Sequence, residues 1–418
     1  MSIGYACKTI GVANTAFKSC IKSNAARNKL EELIAGNLTS LQNILAYNAQ
    51  NNIRLFRISS DVIPFGSSAV NTLDWQDLFS QTLEGIGLLI KQSKMRVSMH
   101  PGQYTVLNSS DKNVVQNAVD DLVYHARFLD SLHTGNENKI VLHIGGAYGN
   151  KKESSKRFIT HFKYLDEPIK QRLVIENDDT SYTVADALEI GSKIGVPVVF
   201  DTLHNATNPC DKSKSDHDWI SLCAKTWRLQ DGVQKIHYSQ QHPTKKAGSH
   251  SETIQINEFL AFYHTLADLT LDIMLEVKDK NLSAVKCILC TSDKIKITAL
   301  EKEWSRYKYS VLEHSPQLYN KIRQLLRDKK SVPTIEFYTL LQDALRQEPS
   351  EKTSLNAAQH VWGYFKDKAD EREKKTFFIH LQKCSEANAS CKNMKKFLFN
   401  LAQKYNDPYL LESTYFYI

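Results

Sequence analysis

A chain of 418 residues with 42% hydrophobic content, 16 glycines and 10 prolines has the composition of a globular protein with room for a large domain and a smaller one, which excludes a disordered chain. No early stretch joins a basic start to an apolar core and a small-residue cleavage site, and no apolar run approaches the ~18 residues of a membrane span, so the chain is expected in the cytosol without a membrane partner. The formal charge of +7 is uneven: residues 1–290 hold 31 Lys and Arg against 30 Asp and Glu, and residues 291–418 hold 22 against 16, an excess that suits either an anionic partner or a solvated helix face.

In chain order, short apolar runs at 3–6, 53–58, 95–100, 139–144, 172–177, 196–201, 233–238 and 271–276 read as strands. Segments of helical periodicity lie between most of them, at 38–50, 75–92, 114–132, 152–164, 184–193 and 256–266. Strand alternating with helix eight times, within about the 250 residues typical of the fold, predicts an α/β chain whose residues 1–290 form a (β/α)8 TIM barrel. An open doubly wound sheet is the structural competitor. No GxGxxG or P-loop follows the first strand, which argues against that sheet and against a nucleotide cofactor. Beyond it, residues 297–326, 333–346, 355–384 and 391–405 read as amphipathic helices, so 291–418 is expected to be an appended C-terminal helical region. Its apolar tail, YLLESTYFYI, should pack against something. The eight cysteines are scattered without small-domain spacing and are expected as reduced thiols. Cys287 and Cys290 form a CxxC, but no second pair follows at zinc-ribbon spacing, so they read as two positions on a terminal helix.

The stretch VPVVFDTLH, 196–204, shows where chemistry enters. A buried β-branched strand has no reason to finish on Asp201 and His204 unless its end faces something polar. The same pattern recurs: His100 in SMHPGQY, His143 in VLHIGG, Glu176 in VIEND, His237 in KIHYS and Glu276 in MLEVKDK, with His250 in the loop after the seventh strand. Because side chains alternate along a strand, Val141 with His143, Val174 with Glu176, Val199 with Asp201 and Met274 with Glu276 should share faces. If those faces point inward, the polar groups converge at the C-terminal mouth. Singly, a strand-end histidine is commonly a hydrogen-bonded structural residue and a carboxylate commonly caps the next helix. Six consecutive strands doing so together make a different case. Three carboxylates brought close would repel unless cations neutralise them, and with five imidazoles they form a ligand set for Zn, Mn or Fe. Several metals in one cup suit hydrolysis of a phosphate or isomerisation of a sugar. Gln103, Tyr104 and Tyr5 lie at strand ends near the mouth, where such groups serve either to wedge against bases or to pack. Lys235 should share the inward face of His237, where a free ammonium would be repelled by dications; the alternative is a lysine reaching for solvent.

The motifs FRISSDVIPFGS, SMHPGQYTVLNSS, IVLHIGGAYGNK, RLVIENDD, VVFD, KIHYSQQ, GSHS and IMLEVKDK resemble, in order and spacing, the UV damage endonuclease family over roughly residues 1–290. The resemblance implies a TIM-barrel repair nuclease acting on double-stranded DNA. Such an enzyme cuts the phosphodiester 5′ of a cyclobutane dimer, a 6-4 photoproduct or another distorting lesion, leaving a 3′-hydroxyl and a 5′-phosphate. It implies two to three metal ions, manganese foremost with Zn or Fe as alternatives, on His100, His143, Glu176, Asp201, His204, His237, His250 and Glu276. Glu176, Lys235, His237 and Glu276 would carry the reaction, with Lys235 modified, as by carboxylation. A Gln-Tyr probe would be Gln103 and Tyr104, with Tyr5 nearby; where better-known members have an asparagine after this tyrosine, Thr9 stands here and Asn14 comes later. A monomer is expected. The competing enzyme readings are an abasic-site endonuclease and a metal-dependent sugar isomerase.

Overall fold

The structure is a computed structural model and describes residues 1–386 and 391–418. The apolar runs form eight parallel strands: β1 (Ile3–Ala6), β2 (Leu55–Ile58), β3 (Arg96–Met99), β4 (Ile140–His143), β5 (Leu173–Glu176), β6 (Val198–Asp201), β7 (Gln234–Tyr238) and β8 (Leu271–Leu275). Each pairs with its neighbours in sequence and β8 closes on β1, so the predicted barrel is present and the open sheet is not. Most strands are one or two residues shorter than the apolar runs that predict them, and β4, β5 and β6 end on His143, Glu176 and Asp201.

Alternation decides what the barrel encloses. Val141, Val174 and Val199 meet inside it, and Ala6, Leu55 and Met274 form a companion cluster. Two residues further on, the same faces carry His143, Glu176, Asp201, Arg57 and Glu276. The register sets His143 beside Glu176 and Asp201 beside His237. An apolar layer thus supports a polar one. At the opposite end Lys139 is buried, its Nζ donating to Asp231 Oδ1 at 2.6 Å and to the Gln171 carbonyl at 2.7 Å, which satisfies a cation that could not be left there alone.

Local signals place the surrounding helices. Asp111 accepts from the Asn113 N–H at 2.8 Å to start Lys112–Ser131, and Thr183 with Asp186 forms a capping box for Val184–Ile194. Gly195, at φ 73°, ends that helix in the left-handed conformation and lets the chain turn directly toward β6. Two helices depart from expectation. Arg27–Gln50 begins well before residue 38, since Leu30, Leu33 and Ile34 extend its buried stripe while its start carries no side-chain cap to signal it. The segment 75–92 is broken at Phe79 into Trp75–Leu78 and Ser80–Gln92.

The chain divides into two compact units, one of Met1–Thr9, Asn14–Ile254 and Ala261–Ile288, the other of Ile10–Ala13, Gln255–Leu260 and Leu289–Ile418. The second is helical: Ile297–His314, Pro316–Leu325, Thr334–Leu345, Glu351–Trp362, Glu371–Glu386 and Lys392–Lys404. The predicted 297–326 helix is interrupted at Ser315 and Pro316, where Ser315 caps the second piece, and 355–384 is two helices rather than one. Trp362 stacks on Phe377 at 4.3 Å, and Leu410 and Tyr415 of the tail are buried in the same core. The tail therefore packs as its composition required. Residues 387–390, within the gap between the helices expected at 355–384 and 391–405, lie outside the described residues. Cys384 and Cys391 are joined in a disulfide, against the expectation of reduced thiols; their Cα atoms lie 5.5 Å apart, a proximity that linear spacing did not reveal. Cys287 and Cys290 both lie on the helix Asn281–Thr291. Among the described residues no helix is long and apolar enough to cross a membrane.

Candidate metal centre

Glu176, the last residue of β5, is the hub of the barrel mouth. Its Oε2 lies 3.1 Å from His100 Nε2 and 3.7 Å from His143 Nε2; its Oε1 lies 2.7 Å from His237 Nδ1 and 3.7 Å from His204 Nδ1. His237 Nδ1 is also 3.2 Å from Glu276 Oε1, whose other oxygen lies 3.8 Å from His250 Nε2. Asp201 Oδ1 stands 3.7 Å from His204 Nδ1. All eight side chains singled out from the sequence therefore meet in one cluster, although they come from six strand ends and two following segments.

Three groups, each compact enough to hold an ion, overlap within it: His100 with His143 and Glu176, Glu176 with Asp201 and His204, and Glu176 with His237 and Glu276. Glu176 belongs to all three. The electron-pair inventory fits a cation. Asp201 illustrates this, because its Oδ1 caps the next helix by accepting from the His204 N–H at 2.8 Å while its buried Oδ2 has no hydrogen-bond partner in the protein. The buried His143 Nδ1 and His237 Nε2 likewise lack partners. Orphaned buried polar atoms are costly unless a bound group completes them. The buried His/Glu/Asp clusters thus suggest a metal site by donor type and spacing.

The electrostatics show how strained the donors are as a bare set. Burial pushes the Asp201 carboxyl up to about 6, helped by Glu176 and Glu276 and opposed by His204. Burial works against a charged His204, yet Asp201, Glu176 and Glu276 together raise its imidazole to about 9. His100 is driven down to about 4, chiefly by burial, with Arg57 adding to the effect. Burial alone would raise Glu176 and Glu276, but the surrounding imidazoles, and for Glu276 the guanidinium of Arg57, hold both below the ordinary carboxylate range. Arg57 pairs directly with Glu276. Sequence reasoning passed over Arg57, although alternation with Leu55 on β2 marks it as a cation aimed into the barrel.

Above the cluster opens a cavity of about 680 Å³, lined among others by Arg57, His100, Gln103, His143, Tyr148 and Glu276. Gln103 lines this cavity and is exposed, and Tyr104, next to it in the same loop, is 70% exposed. Tyr5 is not. It points to the outer face of β1, fully buried, with its ring 5.1 Å from Phe56 and its hydroxyl 2.8 Å from both Asn48 Oδ1 and Thr9 Oγ1. The expectation that Tyr5 touches a lesion is corrected: alternation sends Gly4 and Ala6 inward and Tyr5 toward the helix layer, where Thr9 serves as its hydroxyl partner. Lys235 is buried, and burial together with Arg96 and Arg57 lowers its amine well below the usual lysine range.

With this geometry established, comparison with known proteins is specific. The model of the family UV-endonuclease UvdE matches residues 2–305, and that of a Protein of unknown function (DUF1722) matches 308–418. The chain is 42% identical over 381 residues to a UV DNA damage endonuclease of Clostridium perfringens, covering 89% of this chain and 90% of that protein. It is 34% identical over 276 residues to a UV DNA damage endonuclease of Bacillus cereus strain Q1, covering 66% of this chain and 86% of the relative. The crystal structure of SacUVDE superposes with a TM-score of 0.65 at 40% identity, covering 69% of this chain and 96% of that one. The family model over residues 2–305, the 42% identity to a relative across nine-tenths of its length and the superposable closed barrel together place this chain in the UV-endonuclease UvdE family.

Proposed function

We propose that this chain is a UV DNA damage endonuclease that hydrolyses the phosphodiester immediately 5′ of cyclobutane dimers, 6-4 photoproducts and other distorting lesions in double-stranded DNA. The observation that carries the reading is the set of three overlapping ligand groups sharing Glu176 beneath a cavity lined by Gln103, with Tyr104 exposed next to it in the same loop. His100, His143, Glu176, Asp201, His204, His237, His250 and Glu276 would hold roughly two to three divalent ions, manganese foremost on the family resemblance, with zinc or iron suiting the same mixed imidazole and carboxylate set. Bound there, the ions supply Lewis-acid stabilisation of the charge that builds on a phosphate under attack by water.

The protein's own groups set the geometry. Glu176 orients His237 and His100 by direct contacts, Arg57 fixes Glu276, and the His204 N–H fixes Asp201. Hydrolysis adds water oxygen to phosphorus and releases the 3′ oxygen with a proton, giving a 3′-hydroxyl and a 5′-phosphate. Lys235 would carry an N-carboxylate, since the environment that disfavours its ammonium favours the neutral amine that takes up carbon dioxide, and an anion there suits nearby cations. Gln103 and Tyr104 would enter the duplex where stacking is already weak, so recognition follows deformability rather than base identity.

The test is incision of three substrates by the intact protein with manganese: UV-irradiated plasmid, plasmid with abasic sites, and free ketoses. Nicking of the irradiated plasmid, abolished by chelator and with no ketose conversion, is the expected result. Cutting confined to abasic sites, or ketose isomerisation alone, would replace the proposal with one of those activities.

A further inference from the structure

Two consecutive strands leave the barrel through the same short device. β3 runs out as His100-Pro101-Gly102-Gln103-Tyr104 and β4 as His143-Ile144-Gly145-Gly146-Ala147-Tyr148, in each case a candidate ligand histidine followed by Gly-X-Tyr. In both, the tyrosine ring folds back over the glycine two residues before it. A Cβ at Gly102 would overlap Tyr104 Cε1, so a bare Cα seats that ring, whereas one at Gly146 would meet the Tyr148 ring at 3.4 Å, an ordinary contact. Sequence reading had singled out only the first of the two tyrosines.

Tyr148 carries marks of a contact residue rather than a packing one. It is 53% exposed, so it adds little to the core, yet it lines the cavity above the histidines. Its φ of 48° is a left-handed conformation unfavourable for an aromatic residue. Arg157 braces the ring, its guanidinium carbon 5.8 Å from the centroid, and is itself anchored by donating to the Asn108 carbonyl at 2.8 Å and Ser154 Oγ at 2.9 Å. With Arg157 over the ring and the backbone held in a strained conformation, the half-exposed ring presents its remaining surface to the cavity it lines.

Resting on the activity proposed above, we infer that Tyr148 is a second base-contacting residue, stacking on a nucleotide unstacked by the lesion and so contributing to the choice of damaged over undamaged DNA. Stacking of this kind tolerates any base, which suits an enzyme that must accept lesions in varied sequence. It also explains why the loop after β4 repeats the Gly-X-Tyr of the loop after β3.

The variant Tyr148→Gly removes the ring and accepts the backbone conformation without strain. Binding of UV-irradiated and undamaged duplexes of one sequence is measured for wild type, Tyr148→Gly and Tyr148→Phe, together with metal content and thermal midpoint. The glycine variant is expected to lose about tenfold or more of the wild-type preference for irradiated duplex, with metal content unchanged and the midpoint unchanged or raised, while phenylalanine retains the preference. An unchanged preference in Tyr148→Gly overturns the inference. So does an equal loss in Tyr148→Phe, which would assign the effect to the hydroxyl, or a loss accompanied by metal release and a lower midpoint, which would make the ring structural. Should wild type fail to nick irradiated DNA, the underlying activity falls and this inference with it; nicking by wild type with an unaffected glycine variant removes the inference alone.

Discussion

Glu176→Gln is expected to reduce nicking of UV-irradiated DNA by about a thousandfold or more, equivalent to ~4 kcal/mol of transition-state stabilisation. The substitution preserves size and removes one negative charge, at the residue common to all three ligand groups. An amide can still meet His100 or His237, now 3.1 Å and 2.7 Å from the carboxylate, but it cannot neutralise a cation shared among them. Metal content should fall together with activity, while the barrel's apolar layer of Val141, Val174 and Val199 lies beneath the change and should keep the chain folded by circular dichroism. A Gln variant that nicks at the wild-type rate would remove Glu176 from the reaction.

Replacing Gln103 and Tyr104 together by alanine should act at the other end of the mechanism. Both are exposed, so their loss should cost little stability, and neither belongs to the ligand cluster. Incision of lesion DNA is expected to fall about tenfold to a hundredfold, the scale of one lost base contact, with metal content intact. Binding to undamaged duplex should change little, because phosphate contacts and their salt dependence dominate it. Equal loss of metal and of cutting in this variant would mean that the pair supports the loop carrying His100 rather than probing DNA.

Much of the site was legible because alternation along a strand is rigid. Once Val199 faces the barrel interior, Asp201 must as well, and the same step carries Val141 to His143 and Val174 to Glu176. His204, on the helix after β6, and His250, in the loop after β7, lie outside this period of two, whereas the six candidates at strand ends needed no knowledge of side-chain conformation beyond it. Tyr5 failed for the same reason that these succeeded: it sits on the odd face of β1, between Gly4 and Ala6, and nearness to a strand end was mistaken for nearness to the mouth. Arg57 escaped notice because a cation among candidate metal ligands looks unfavourable until its partner, Glu276, is seen. Helix limits were less legible. The break at Ser315 and Pro316 has a plain sequence signal, whereas the early start at Arg27 has none, since no side chain caps it and only burial of Leu30 and Leu33 extends the helix. The disulfide between Cys384 and Cys391 depends on approach in space, which composition does not encode.

The claim on which the account depends is that imidazoles and carboxylates from separate strands hold cations in common. Native mass spectrometry of the intact chain, purified without chelator at neutral pH, tests it most directly. The expected spectrum shows roughly two to three divalent ions per chain, with one further carbon dioxide on the Lys235 amine. A chain that carries no metal and still nicks irradiated DNA at full rate would contradict it.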